Sequence, residues 1–319
     1  MEPPLFVLGV RRSGTTLLRV MLDRHPALAV PDESYFIPAL AARHRGMLDV
    51  AAFCDDLARI PVIRDWEVDA GAVRGRLAPG ARAGDGIAAV YEAYAALRGK
   101  ERWGDKTPMY MGWLNMIDRL FPAARYVHLI RDGRDAALSF LAMPQELVTT
   151  TWMHPRDAAG FACQWRTEVR AARALGARLG PERYRELRYE ELVADPEAAL
   201  TATTALAGLE FDPIMLEYAG TLDLSRRPHQ ARLSQPPTPG LRDWRSEMAE
   251  RDVAAFEAVA GDTLAACGYP LAERRRAAGP DLAARARLAR YRARALAWRA
   301  SAQAIARSPL WRRRHPRLA

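Results

Sequence analysis

Residues 5–16 read LFVLGVRRSGTT: four apolar residues run into a loop holding Gly9 and Gly14, and two threonines follow. This is the outline of a phosphate-binding loop, in which spaced glycines precede a hydroxyl residue. A buried strand that empties through a glycine turn into a helix aims backbone N–H groups at an anion, so the feature commits the chain to an α/β arrangement. Thr15 stands where the lysine of such loops belongs. Without a lysine to bridge β- and γ-phosphates, ordinary ATP chemistry is disfavoured, and the loop predicts a phosphate ligand that is not a triphosphate.

At 319 residues the chain is long enough for one large α/β domain or two small ones, each with a real core. Half the residues are apolar and 27% are charged, ordinary for a soluble globular chain, and no stretch reaches the length of a bilayer span. The start, MEPPLFVLG, has neither a basic n-region nor a long apolar h-region, so no secretory signal is expected. Cys54, Cys163 and Cys267 lie far apart with no metal-ligand spacing, which predicts free thiols and a cytoplasmic setting. The net charge of +9 is concentrated at one end. From residue 271 onward 14 arginines face only Glu273 and Asp281, a local +12 that leaves residues 1–270 at −3. That split disfavours a nucleic-acid partner.

Leu5–Leu8 predicts a first strand and Gly14–Arg24 a helix ended by His25-Pro26; a helix begins at Pro38. Residues 39–100, rich in Ala and Arg, predict a helical insertion. After Arg102–Pro108 (RWGDKTP) comes one helix over 110–120, then a second strand at Arg125–Ile130 and a helix over AALSFLA. Residues 158–178 predict a helix, Tyr184–Arg188 a strand, and Asp195-Pro196 a further helix start. Residues 225–243 predict a loop, and 249–267 a last core helix. Two strand–loop–helix units this far apart predict a P-loop-like three-layer fold, a central parallel sheet flanked by helices with ligands at the carboxyl ends of its strands. The expected domain is 1–270, with 271–319 as a basic amphipathic helical tail.

Arg12 supplies a planar fork of donors beside the backbone nest of Ser13, Gly14, Thr15 and Thr16, suited to a tetrahedral oxyanion. Arg131 leaves the end of a strand, and Ser139 follows about two helical turns on, so both are candidates for a second phosphate. The alternative makes Arg131 and Asp132 a surface pair at a turn. Two such regions together predict a ligand with two separate phosphate groups. His25, His44, His128 and His154 show no ligand spacing; His128 is expected in the core, and Glu190-Glu191 at the surface or capping a helix. No metal site is expected.

RRSGTTLLRVMLDRHP followed by RYVHLIRDGRDAALS resembles the sulfotransferases that use 3′-phosphoadenosine 5′-phosphosulfate. WGDKTP, RYEELVADPEAAL and Arg242-x-Trp244 with the later Gly268-Tyr269 are similar to that family as well, over about residues 4–271. The resemblance implies a 5′-phosphosulfate loop at Arg12–Thr16 and a 3′-phosphate site at Arg131 and Ser139. It also implies a nucleotide-covering loop with Arg232, Ser234 and Arg242 as candidates, and no metal requirement. Within the superfamily Asp23, His25, Pro26, Asp32-Glu33, Ile37 and Pro38 resemble the tyrosylprotein sulfotransferases, which places the catalytic base at Glu33. A carboxylate beside the loop suits proton abstraction from a hydroxyl; the alternative is that Glu33 caps the helix near Pro38 or is simply solvated. Lys106 matches a lysine facing the transferring group, where it would stabilise charge on the leaving oxygen; the alternative is a surface lysine before a proline. Tyr35 and Ala39 stand where the tyrosylprotein enzymes carry arginines, and Val30 where they carry a cysteine. The expected acceptor is therefore a phenol, carbohydrate or lipid hydroxyl as readily as a peptide tyrosine.

In the tail, Ala284, Leu288, Tyr291, Ala295, Trp298, Ala302 and Ile305 step by four and three, with arginines on the other faces. Such a helix packs on its own domain, joins a homodimer or lies on an anionic membrane. The competing functions are a P-loop kinase or NTPase, which needs a lysine beside Gly14, and a non-catalytic protein binding through its tail.

Overall fold

A computed structural model describes residues 2–143, 154–219, 242–272 and 279–316. Five strands form one parallel sheet in the order β2-β3-β1-β4-β5: β1 (Leu5–Leu8), β2 (Leu28–Ala29), β3 (Arg102–Asp105), β4 (Arg125–Ile130) and β5 (Tyr184–Arg188). β1 pairs with β3 through Leu5↔Gly104 and with β4 through Phe6↔Tyr126, which makes it the central strand. Its four residues are all buried, as an unbroken apolar run in a two-sided parallel sheet must be. Alternation divides them: Phe6 and Leu8 join one core, Leu5 and Val7 the core on the opposite face.

The helices follow in chain order. α1 (Thr15–Asp23) leaves the β1 loop. The insertion holds α2 (Ile37–Arg43), α3 (Val50–Leu57), α4 (Pro61–Asp65), α5 (Ala70–Arg74) and α6 (Ala83–Leu97). Next come α7 (Leu114–Leu120), α8 (Gly133–Leu141), α9 (Ala158–Leu179), α10 (Tyr189–Ala194), α11 (Pro196–Ala207), α12 (Trp244–Glu247), α13 (Glu250–Ala266), α14 (Leu282–Arg307) and α15 (Leu310–Arg314). Residues of α1, α10 and α11 cover one face of the sheet, and those of α6, α7 and α9 the other, giving the three layers.

Two readings change. The single helix expected over 110–120 is a short 3-10 turn, Pro108–Gly112, and then α7, because Trp113 breaks helical geometry at the join. β3 was not foreseen as a strand. Gly104 occupies its middle because a Cβ there would lie 2.7 Å from the Leu5 carbonyl oxygen, so close pairing with β1 selects the residue that hides the strand signal.

The tail folds back. Ala284, Leu288 and Ala295 of α14 are buried, Ala306 lies in the core beside α2, and Trp311 of α15 lies under Arg43 at 4.8 Å. Asp56, fully buried, accepts from Arg43 Nε (2.6 Å), His44 Nε2 (3.1 Å) and Arg312 Nε (2.8 Å), fastening the chain end to the insertion. No helix among the described residues is long and apolar enough to cross a membrane.

Candidate functional site

A parallel sheet sends every strand's carboxyl end to one edge, and here all five ends contribute to one site. β1 delivers Arg12–Thr16. Gly14, at φ 88°, caps α1, and a Cβ on it would stand 2.3 Å from the Tyr189 ring, so only glycine lets the loop close against the end of β5. Arg12 is itself left-handed at φ 71°, an uncommon backbone for a side-chain-bearing residue, and Tyr35 is another at φ 57°. Both sit at this site; a third such residue, Glu67, lies in the insertion.

On one side of the loop, Arg12 Nε donates to Ser139 Oγ at 3.1 Å, and Arg131 Nη1 donates to the Arg12 carbonyl at 3.3 Å. The two candidate phosphate regions therefore lie side by side. Burial, and then the neighbouring Arg131 and Arg242, pull the Arg12 guanidinium below its ordinary pKa. Cations gathered closely enough to disfavour one another make a site suited to an anion. The Arg131 guanidinium lies 4.5 Å from the centre of the Tyr189 ring. Ser13 Oγ is buried with no hydrogen-bond partner among the described residues, a donor left for a ligand.

On the other side, Lys106 at the end of β3 is almost fully buried. Its Nζ donates to Glu33 Oε1 at 2.6 Å and to Thr16 Oγ1 at 3.3 Å. A lysine thus reaches the loop from another strand. Burial lowers the Lys106 pKa, and Glu33 opposes that shift. The acidic pair after β2 splits, Asp32 to Arg19 of α1 at 3.1 Å and Glu33 to Lys106. The Glu33 carboxylate also accepts from the Tyr35 hydroxyl. Glu33 does not cap α2, which begins after Phe36 with no side-chain cap, and it is paired with Lys106 rather than simply solvated; Lys106 is not at the surface.

A buried network fixes this pair. Ser34, next to Glu33, donates from Oγ to Asp105 Oδ2 at 2.8 Å and from its backbone N–H to Thr107 Oγ1 at 3.0 Å. Asp105 and Thr107 flank Lys106. Tyr91 donates to the same Asp105 oxygen at 2.6 Å, and Tyr110 bonds Ser34 Oγ at 2.6 Å. Burial pushes the Asp105 carboxyl up to about 6 against these donors.

Arg131 does not pair with Asp132. Asp132 belongs to Arg134, whose fully buried guanidinium also reaches Glu257 at 2.6 Å and stacks on Trp244 at 3.6 Å. Asp135 Oδ1 accepts from the Trp244 N–H at 2.8 Å, which ties the Arg242-x-Trp244 segment to α8. Arg242 itself is bonded to Glu247. Arg232 and Ser234 lie outside the described residues. Glu191 caps α10 through the Arg188 N–H, as foreseen, while Glu190 turns inward to the Tyr269 hydroxyl at 3.0 Å and the Asp132 N–H at 3.2 Å. His128 is a core residue bonded to the Tyr184 hydroxyl at 2.6 Å. Sequence reasoning missed Tyr189, Ser34 and Asp105; only the position of Asp105 beside Lys106 could have flagged it.

The fold and loop first define a class, an α/β protein with an anion site at the carboxyl edge of a parallel sheet. The chain belongs to the sulfotransferase family, whose model matches residues 3–213. Nodulation protein NoeE of Sinorhizobium fredii is 28% identical over 298 residues, covering 83% of this chain and 65% of NoeE. Protein-tyrosine sulfotransferase 2 of Gallus gallus is 26% identical over 225 residues, 68% of this chain and 54% of that protein. The chain thus spans less than two thirds of either relative. The sulfotransferase domain of the Synechococcus PCC 7002 olefin synthase superposes with a TM-score of 0.58 at 24% identity, covering 85% of this chain and 98% of that domain. The sulfotransferase domain from the curacin biosynthetic pathway superposes at 0.59 with 20% identity, covering 85% and 99%. Both share the fold.

Proposed function

We propose that the protein transfers a sulfuryl group from 3′-phosphoadenosine 5′-phosphosulfate to a hydroxyl of a tyrosine or other phenol, carbohydrate or lipid acceptor, by in-line attack of the hydroxyl oxygen on sulfur as the S–O bond to the 5′-phosphate breaks and 3′,5′-adenosine bisphosphate leaves. The observation that carries this is the Glu33–Lys106 pair, 2.6 Å apart, with Lys106 also bonded to Thr16 of the anion loop. The residues fit the donor: a partnerless buried Ser13 hydroxyl, a glycine where a Cβ would clash, and arginines gathered at the loop. Bound there, the donor supplies the sulfuryl group.

Arg12, Ser13, Gly14, Thr15 and Thr16 hold its 5′ end, and Arg131 and Ser139 its 3′-phosphate; Arg232, Ser234 and Arg242 complete the nucleotide site in this reading. Glu33 takes the proton of the acceptor hydroxyl and is positioned by its bond from Lys106. Lys106 and Arg12 place fixed positive charge where negative charge develops on the sulfuryl group and the leaving oxygen. No metal is assigned a role. The free Cys54, Cys163 and Cys267 support a reducing, cytoplasmic setting.

Calorimetry with 3′,5′-adenosine bisphosphate tests the reading. Saturable binding that weakens in Arg131→Ala is expected. No saturable binding, or binding unchanged in that variant, overturns it.

A further inference from the structure

Beside the loop, on the far side of Arg11, lies a cavity of about 600 Å³ between the start of α9 and the tail helix α14. His154, Arg156, Arg287, Arg290, Tyr291 and Arg294 line it. The three α14 arginines are spaced three and four residues apart, which sets them on one helix face, and Arg156 comes from the opposite wall. None of the four guanidiniums has an ion-pair partner among the described residues. The acid in the lining, Asp157, caps α9 by accepting from the Gly160 N–H.

Like charges at these spacings repel, and the packing of α14 needs none of them, since its buried residues are Ala284, Leu288, Ala295 and Ala306. A concave wall with four arginines against one carboxylate focuses positive field into the cavity and concentrates anions there. Guanidinium forks favour oxyanions held by paired N–H donors. The volume exceeds what one phosphate fills and falls in the range of small-molecule pockets.

A side chain of the loop region reaches the cavity wall. Arg11 Nη1 lies 2.7 Å from His154 Nε2, and its guanidinium stands over Phe140, which stacks on His154. Arg11 therefore reaches His154 in the cavity wall while Arg12 reaches Ser139.

We propose that this cavity is a second anion site, distinct from the loop, that takes a small molecule carrying two or more phosphate or sulfate groups. That chemistry has two sources, a free ligand or an anionic part of the acceptor. A flat anionic membrane surface is disfavoured because the arginines converge on a concavity.

The test is calorimetric titration of inorganic pyrophosphate into the full chain held saturated with 3′,5′-adenosine bisphosphate. Saturable binding is expected, weakened about tenfold or more in the double variant Arg290→Gln/Arg294→Gln, an effect of the size that charge-assisted pairs give. The control Arg285→Gln/Arg292→Gln removes equal charge from α14 outside the cavity and is expected to bind as the parent does. No saturable binding, or equal loss in both double variants, overturns the site. Binding to phosphatidylglycerol–phosphatidylcholine vesicles without pyrophosphate binding overturns it too. Pyrophosphate that competes with an anionic phenol acceptor but not with p-nitrophenol assigns the site to the acceptor. Saturable binding without such competition assigns it to a free ligand, and either result supports it. The binding measurement stands whatever group the loop transfers.

Discussion

Lys106 Nζ lies 2.6 Å from Glu33 Oε1, although the two residues follow different strands of the sheet, β3 and β2. The contact is set by their neighbours. Ser34, adjacent to Glu33, is bonded to both Asp105 and Thr107, the residues either side of Lys106. Each candidate group is thus held by a buried residue next to it in the chain, and the pair is preorganised before any ligand arrives.

Replacing the Glu33 carboxylate tests its role as base. Glu33→Gln keeps the shape and removes proton acceptance. The expected outcome is a fall in kcat of about 10²–10⁴, the range for a positioned general base. Affinity for 3′,5′-adenosine bisphosphate should be nearly unchanged, because Arg12 and Arg131 are untouched. Parent-like turnover would remove Glu33 from the chemistry.

Asp105 gives a pH signature. Burial raises its carboxyl from 3.8 to about 6 in the folded chain. A raised acid stabilises the fold fully below its unfolded value, and that contribution is lost as pH rises through the folded value. The parent should therefore lose stability relative to Asp105→Asn between about pH 4 and 6. Melting temperatures of the two proteins across that range check this; parallel curves would show that Asp105 does not titrate there.

Much of this was legible in advance. β1 and β4 stand where the apolar runs placed them and β5 at Tyr184–Arg188 as expected, and Arg12, Arg131, Ser139, Glu33 and Lys106 gather at one sheet edge. β3 was hidden because close pairing with β1 requires Gly104, which erases the strand pattern. Asp132 invited pairing with Arg131, its neighbour. The structure gives it to Arg134, because only there can one guanidinium also meet Glu257 and the Trp244 ring. The Ser34–Asp105–Tyr91 network joins residues far apart in the chain, so no local pattern announces it.

Gly14→Ala tests the loop closure. The substitution puts a side chain at φ 88° and a Cβ 2.3 Å from the Tyr189 ring. Backbone strain of this kind costs about 1–3 kcal/mol, and the ring must also move. Binding of 3′,5′-adenosine bisphosphate should fall sharply, with a smaller loss in melting temperature. Gly14→Ala/Tyr189→Ala should recover part of the melting temperature, since it removes the clash and leaves the backbone strain; no recovery would separate the glycine from Tyr189.

Asp56 decides whether the tail is part of the fold. Burial raises its carboxyl pKa, but hydrogen bonds from His44, Arg43 and Arg312 outweigh that and hold it at about 2. A depressed acid contributes stability above its unfolded value of 3.8, lost as pH falls through about 2. Asp56→Ala leaves the largely buried Arg43 guanidinium without its carboxylate, and breaking a buried ion pair from one side costs up to about 3–5 kcal/mol, the half-exposed Arg312 losing less. Arg43 also donates to the Ala306 carbonyl at 2.8 Å and lies over Trp311, so losing Asp56 frees the last two helices as well. Limited trypsin digestion reads this, because α14 and α15 are dense in arginine. In the parent, cleavage within residues 299–314 should be slow; in Asp56→Ala it should be fast at temperatures where the sheet domain is still folded. Asp56→Asn, which keeps a carbonyl acceptor, should fall between them. Equal protection in all three proteins would mean that α14 is held by its apolar stripe alone and that the Asp56 cluster does not anchor the tail.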